Sequence, residues 1–155
     1  MNRKIFIALL GLIVLVTASI GAGQEKKIAR RDLPAAVEKT VAEQAKGATI
    51  SGFSTEMEHG KRIYEASLVV NGHRRDISMD AEGKILEVEE EVPLESLPAK
   101  VRESLTRLAG TGTIARVESL TKGGKLVAYE AVVKTGKKRS EIQVGPDGEK
   151  LAHPE

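Results

Sequence analysis

The feature that most constrains this chain is an internal sequence repeat with a spacing of 64 or 65 residues. The segment Leu-Pro-Ala-x-Val begins at Leu33 and again at Leu97. Later matches at the same spacing join Thr49 and Ile50 with Thr113 and Ile114, Tyr64, Glu65 and Ala66 with Tyr129, Glu130 and Ala131, Arg74 with Arg139, Ile77 with Ile142, Gly83 with Gly148, and Leu86 with Leu151. A match of this period is typical of two homologous structural units in one chain.

The first 23 residues have the pattern of a secretory signal peptide. A basic start at Arg3 and Lys4 precedes an uncharged run and a stretch of small residues, with cleavage expected after Ala22 or Gly23. The alternative is an uncleaved anchor, because residues 5–22 carry no charge and are just long enough to span a bilayer. We therefore predict a periplasmic or secreted protein, associated with a membrane only if this segment is retained.

The composition excludes several classes of protein. The chain has no cysteine, which excludes a lipid-modified lipoprotein and a disulfide scaffold. Its formal net charge of +2 includes Arg3 and Lys4, so the exported part is close to neutral. A neutral balance does not favour nucleic acid as a partner.

Each of the two units is predicted to consist of a helix followed by antiparallel strands. After a lead-in at residues 24–32, we assign residues 33–92 to the first unit and 93–155 to the second. Val37, Val41 and Ala45 share one face of the first helix, and Val101, Leu105 and Leu108 share the matching face of the second.

The strands are predicted from alternation of apolar and polar residues. Tyr64, Ala66 and Leu68 alternate with polar neighbours, and Asn71-Gly72 is a strong hairpin signal. The predicted fold is α+β, with two tandem α-β-β-β(-β) repeats. Their strands form an antiparallel sheet, and one helix per repeat packs on one of its faces.

The repeated pattern resembles the PepSY-like family, which is grouped with the beta-lactamase-inhibitor-protein-like (BLIP-like) fold. The matching residues are Leu33, Pro34, Val37, Tyr64, Glu65, Ile77, Asp80, Gly83 and Leu86, and again Leu97, Pro98, Val101, Tyr129, Glu130, Ile142, Gly148 and Leu151. Gly145 departs from the pattern, since it replaces the usual aspartate of the second turn. The resemblance implies an exported bacterial protein, and PepSY modules are associated with the restraint of peptidases.

Two sets of residues are candidates for a partner-binding site. Tyr64 and Tyr129 occupy the same strand position and would serve as anchors on a binding face, because tyrosine is enriched in interface hot spots. The alternative is that both are core residues packed beneath the helices, which their phase along the strand favours.

The second set is a basic hairpin tip that occurs in both units, with His73, Arg74 and Arg75 in the first and Lys134, Lys137, Lys138 and Arg139 in the second. These cations would meet an acidic partner surface, phosphate groups or anionic lipid, or they would simply prevent unwanted strand pairing. The acidic connector at Glu87, Glu89, Glu90 and Glu91 is interpreted first as solvated, and second as a contact for a cation or a basic partner.

Nothing in the sequence predicts an enzyme, a cofactor or a metal site. The three histidines, His59, His73 and His153, lack the spacing of metal ligands, and no nucleophile elbow or phosphate loop is present. We therefore predict a non-enzymatic exported binding module with a protein partner. The PepSY-like resemblance implies that this partner is an envelope peptidase, which the protein would inhibit. A sensor of a small ligand or cation, and a structural envelope protein without a discrete ligand, stay open as alternatives.

Overall fold

The computed structural model describes residues 25–155, and these are built on one antiparallel sheet of eight strands in chain order. The strands are β1 (Lys26–Lys27), β2 (Thr49–Glu58), β3 (Lys61–Val70), β4 (His73–Met79), β5 (Ile85–Glu91), β6 (Thr113–Lys122), β7 (Lys125–Thr135) and β8 (Lys138–Val144). Helix α1 (Ala35–Gln44) precedes β2, and α2 (Ala99–Ala109) precedes β6. The predicted signal peptide at 1–23 lies outside the described residues. Among the described helices, none has the length and apolar character needed to cross a bilayer.

Both helices begin directly after a proline and bury one face against the sheet. Pro34 and Pro98 precede the first helical residue, where the missing N–H of proline is harmless. Val37 and Val41 of α1 are buried, as the four-residue spacing predicts. In α2 the same spacing buries Leu105, but Leu108, in the last turn of the helix, is 41% exposed.

The two helices cover two apolar cores on the same face of the sheet. The core under α1 contains Val37, Val41, Ala66, Leu68, Ile77 and Met79. The core under α2 contains Leu97, Val101, Leu105, Val117, Ala131 and Val144. Paired residues of neighbouring strands point to the same side of a sheet. Val88 pairs with Ile77 on β4 and with Thr121 on β6, and Val117 is in phase with Thr121, so both cores lie on one side.

The predicted architecture of two tandem α-β-β-β(-β) repeats is wrong. The sheet continues without a break, since β5 pairs with β6 along Glu87 to Glu91. Five strands precede α2 and only three follow it within the described residues, and β1 comes from the predicted lead-in. Where a final strand was expected near Leu151, Val144 and Lys150 form only an isolated bridge.

The physical reason is that a sheet edge exposes unpaired N–H and C=O groups, which pair with another strand where one is available. Strand β5 pairs with β6 along such an edge, through residues 87–91 and 118–122. The expected boundary between the two units therefore falls inside a hydrogen-bonded ladder.

Candidate functional site

The face of the sheet opposite α1 and α2 is lined with carboxylates. Side chains alternate along each strand, so the residues between the core positions point away from both helices. By strand register, ten acidic side chains lie on this face. Glu58, Glu91 and Glu141 lie at strand ends or on the edge strand β8, and the other seven come from six neighbouring strands: Glu56, Glu65, Asp76, Glu87, Glu89, Glu118 and Glu130. We call these residues the acidic face.

Three carboxylates meet at the centre of the acidic face. One oxygen from each of Asp76, Glu89 and Glu118 lies within 4.8 Å of the other two. Glu118 is only 4% exposed, and Oδ1 of Asp76 is buried without a hydrogen-bond donor among the described residues. An unpaired buried oxygen is costly, so this centre favours a positively charged or hydrogen-bond-donating group.

Three basic side chains partly compensate the acidic face. Arg116 forms the tightest contact, with its Nε 2.9 Å from Oε1 of Glu118 and its Nη2 donating to Oε2 at 3.2 Å. Arg74 approaches Asp76 at 3.6 Å, and Lys122 approaches Glu87 at 3.4 Å. The other basic side chains of this face lie on its edge strands or at strand ends, namely Lys27, Lys61, Lys125, Lys134 and Arg139. The negative charge is therefore least compensated at the centre, where Glu65, Glu89 and Glu130 have no basic group within 4 Å among the described residues.

Burial and mutual repulsion raise the pKa of several of these carboxyl groups. Burial, a hydrogen bond with Glu87, and the negative charges of Glu87, Glu118 and Glu130 raise the pKa of Glu89 to about 8. Burial and the nearby charges of Asp76 and Glu25 raise the pKa of Glu65 to about 7. The pKa of Glu130 is also raised, mainly by burial, although a hydrogen bond from Gln143 opposes this.

The raised pKa of Glu89 makes the free protein less stable as the pH rises. The unfolded chain releases this proton near pH 4.5, whereas the folded protein holds it to about pH 8, so stability falls across that interval. Glu89→Gln removes the effect and should stabilise the protein by about 1 kcal/mol at alkaline pH, a value reduced for solvent screening of a half-buried group. Urea unfolding of the wild type and of Glu89→Gln at pH 5 and pH 9 measures this difference in the free energy of unfolding.

The control for this prediction is Glu95→Gln, which removes an exposed carboxylate from the turn before α2. It should leave the pH dependence of the wild type unchanged. Parallel pH profiles for the wild type and Glu89→Gln would contradict the assignment of the effect to Glu89.

The pair of Arg116 with the buried Glu118 should be the most sensitive contact of the acidic face. Arg116→Met keeps an apolar stem but leaves Glu118 unpaired, so we expect a loss of about 2 kcal/mol in the free energy of unfolding above neutral pH. In a Glu118→Gln background the same change should cost much less. Equal losses in both backgrounds, measured by urea unfolding, would show that the ion pair is not responsible.

The predicted tyrosine anchors lie on the helix side of the sheet. Tyr64 packs against the core under α1, and Tyr129 packs against the core under α2; both are half-buried. They lie on β3 and β7, so the structure does not bring them together. Neither belongs to the acidic face.

The predicted basic residues are split between two hairpins at the same end of the sheet. Arg74 follows the β3–β4 turn, while Lys138 and Arg139 follow the β7–β8 turn and are exposed. Four strand spacings, about 19 Å, separate the two hairpins. Arg75 is half-buried on the helix side, opposite Leu68, with its Nε buried and unpaired among the described residues. These residues therefore do not form one basic patch.

Several residues of the acidic face were not predicted as site residues, namely Glu65, Asp76, Glu118 and Glu130. A signal for them exists in the sequence, since Glu65 and Glu130 lie at corresponding positions between apolar residues that point to the cores. Their position on one face depends on strands that are distant in sequence pairing in one continuous register.

Comparison with solved structures identifies the fold. The chain is similar to a protein of Bacteroides eggerthii described as periplasmic, with a TM-score of 0.63 and 17% identity over 77% of this chain and 86% of that one. A DUF2874 family protein of Bacteroides ovatus gives a TM-score of 0.60 at 16% identity, over 77% and 84% of the two chains. A BLIP-like protein of Bacteroides fragilis gives 0.56 at 19% identity, over 75% and 81%.

These similarities are structural rather than sequence-based. No protein-family profile matches the chain, and no curated protein sequence matches it. At such low identity the similarity establishes the fold alone. The BLIP-like fold that the sequence resemblance implied is confirmed, while membership of the PepSY-like family stays a prediction.

Proposed function

We propose that the protein is an exported, non-enzymatic binding module whose acidic face binds a positively charged surface of a protein partner. The observation that carries this proposal is the excess of carboxylates on a sheet face that neither described helix covers. Export follows from the predicted signal peptide, and the description of a structural neighbour as periplasmic supports it.

Electrostatics favours a basic partner over a neutral one. A partner that covers this face removes water from carboxylates, and that loss is offset only if the partner supplies cations or hydrogen-bond donors. Complementary charge also speeds encounter and excludes acidic competitors. The PepSY-like resemblance adds a finer proposal, in which the partner is an envelope peptidase that the protein restrains.

The proposal is tested by capturing a partner from an envelope extract with the wild type and with two charge-reversed variants. Glu56→Lys with Glu87→Lys reverses two charges of the acidic face, and Glu43→Lys with Glu103→Lys reverses two exposed charges on the helices. Circular dichroism checks that both variants fold. A partner bound by the wild type and the helix variant, but not by the face variant, supports the proposal.

A peptidase assay on the same extract tests the finer proposal. The wild type should slow proteolysis, and the face variant should not. If no partner is captured, or if both variants bind it equally well, the acidic face is not the binding surface.

A second candidate function is the binding of a divalent cation, which the meeting of Asp76, Glu89 and Glu118 favours. Carboxylate oxygens are the ligands that Ca²⁺ and Mg²⁺ prefer. A cation at a hundred times its dissociation constant would stabilise the protein by about 2.7 kcal/mol. Thermal unfolding with each metal, repeated with Asp76→Asn, tests this function. A melting temperature that the metals leave unchanged would remove it.

A further inference from the structure

A groove of about 470 Å³ opens at one end of the acidic face. It spans the sheet from β2 to β6, near the β2–β3 and β6–β7 turns. Six carboxylates line it: Glu56, Glu58, Glu65, Glu87, Glu89 and Glu155. We call this the acidic groove.

The acidic groove also has apolar surface between its carboxylates. Ile63 lines it and is only 6% exposed, although it lies on the face away from both helices. Leu86 lies at the irregular pairing of β4 with β5 and also contacts the groove. Lysine and arginine combine an apolar stem with a charged end, so one such side chain can satisfy both kinds of surface.

The chain itself places one ammonium group in this groove. The Nζ of Lys122 lies 3.4 Å from Glu87 and 3.9 Å from Glu155. Lys122 and His59 are the two basic side chains that line the groove, together with six carboxyl groups. One lysine therefore fits this surface, and Glu56, Glu58, Glu65 and Glu89 have no basic group within 4 Å among the described residues.

We propose that the acidic groove binds an extended segment of a protein partner through its lysine or arginine side chains. This inference rests on the proposed function and names the chemistry of the partner at the same face. From β2 to β6 the groove covers four strand spacings, or about 19 Å, and an extended segment of about six residues spans that length. Alternate side chains of such a segment point the same way, so two or three cations can enter the groove.

A bound metal ion is a poorer occupant of the groove. A divalent cation gathers its oxygens at about 2.3–2.6 Å for Ca²⁺ and closer for Mg²⁺. The carboxylates of the groove instead come from separate strands β2, β3 and β5 and from the C-terminal tail, so several separated cationic groups match them better.

The test is calorimetric titration of the protein with a short synthetic peptide. The probe has about six residues, alternates lysine with serine, and is blocked at both ends; its control carries glutamine in place of lysine. At pH 9, where both carboxyl groups are ionised and the lysines of the peptide still carry charge, Glu65→Gln with Glu89→Gln should weaken binding at least about tenfold, because both carboxylates line the groove. Glu43→Gln with Glu103→Gln removes the same charge from the helices and should leave the affinity unchanged.

The groove variant is suited to this test because it should fold. Both carboxylates are disfavoured in the folded protein, so their neutral replacements are expected to be at least as stable as the wild type. Binding of the lysine peptide that depends on the groove residues and weakens from roughly 0.01 M to 0.15 M salt supports the inference. Urea unfolding of both variants confirms that they are folded.

Three results would overturn the inference: no binding at low salt, equal weakening by both variants, or binding that requires Ca²⁺ and is lost with a chelator. The proposed function is tested separately by capture from the extract. If a partner is captured and the groove variant binds it as well as the wild type does, the acidic groove is not the binding site. The proposed function as a binding module would still stand.

Discussion

Replacing Leu105 by alanine should lower the free energy of unfolding by about 3 kcal/mol, the largest loss we expect from a single core change. Leu105 is fully buried and belongs to the core under α2, with Val101, Val117 and Ala131. Truncating a buried leucine loses transfer free energy and leaves a cavity that the neighbours fill only in part. Urea unfolding, followed by circular dichroism, measures the loss, and the melting temperature should fall by about 10 °C.

Leu108→Ala is the matched control, since the same chemical change is made one turn later on the same helix. Leu108 is 41% exposed, so its truncation should cost less than about 1 kcal/mol. Similar losses for the two variants would mean that the last turn of α2 is buried as well, against the packing described above.

Local features of the fold could be predicted from the sequence because they depend on neighbouring residues. The spacing of Val37 and Val41 predicted the buried face of α1, and both residues are buried. Asn71 and Gly72 were expected to form a hairpin, and both have positive φ, at 52° and 86°, between β3 and β4. Such signals act within a few residues of the chain.

The continuous sheet could not be predicted in the same way, because it depends on pairing between distant segments. The matching motifs led to two units with equal numbers of strands, yet the two-residue β1 and the β5–β6 ladder have no signal at the repeat spacing. Short motifs specify local turns and helix starts, whereas strand number is decided by which edges are free to pair.

The difference between local signals and long-range strand pairing also explains which residues of the candidate site could be predicted. Tyr64 and Tyr129 attracted attention as matched aromatic residues, but alternation places them on the helix side of the sheet. The acidic face combines Asp76, Glu89 and Glu118 from three neighbouring strands, and their proximity follows only once the register is known. The acidic connector was interpreted first as solvated, but Glu89 is half-buried among other carboxylates.

Replacing Gly83 by alanine should lower the free energy of unfolding by about 3 kcal/mol, because this residue joins the β4–β5 turn to α1. Its φ is +77°, and a Cβ atom would lie 2.5 Å from the backbone oxygen of Ala36. The hydroxyl of Thr40 donates a hydrogen bond to the carbonyl oxygen of Gly83 at 2.7 Å, which holds the helix against the turn. A side chain here adds both backbone strain and overpacking, and α1 must move away from its core.

Gly72→Ala separates these two costs, since Gly72 has a similar φ of +86° but no atom within 4 Å of the added carbon. It should cost only about 1 kcal/mol, which is the backbone contribution alone. Gly148 repeats the close contact under α2, where a Cβ would lie 2.6 Å from the oxygen of Lys100, so Gly148→Ala should resemble Gly83→Ala. If urea unfolding gave equal losses at Gly72 and Gly83, positive φ would explain both glycines. A larger loss at Gly83 and Gly148 would instead show that each helix needs a turn without a side chain beneath its first residues.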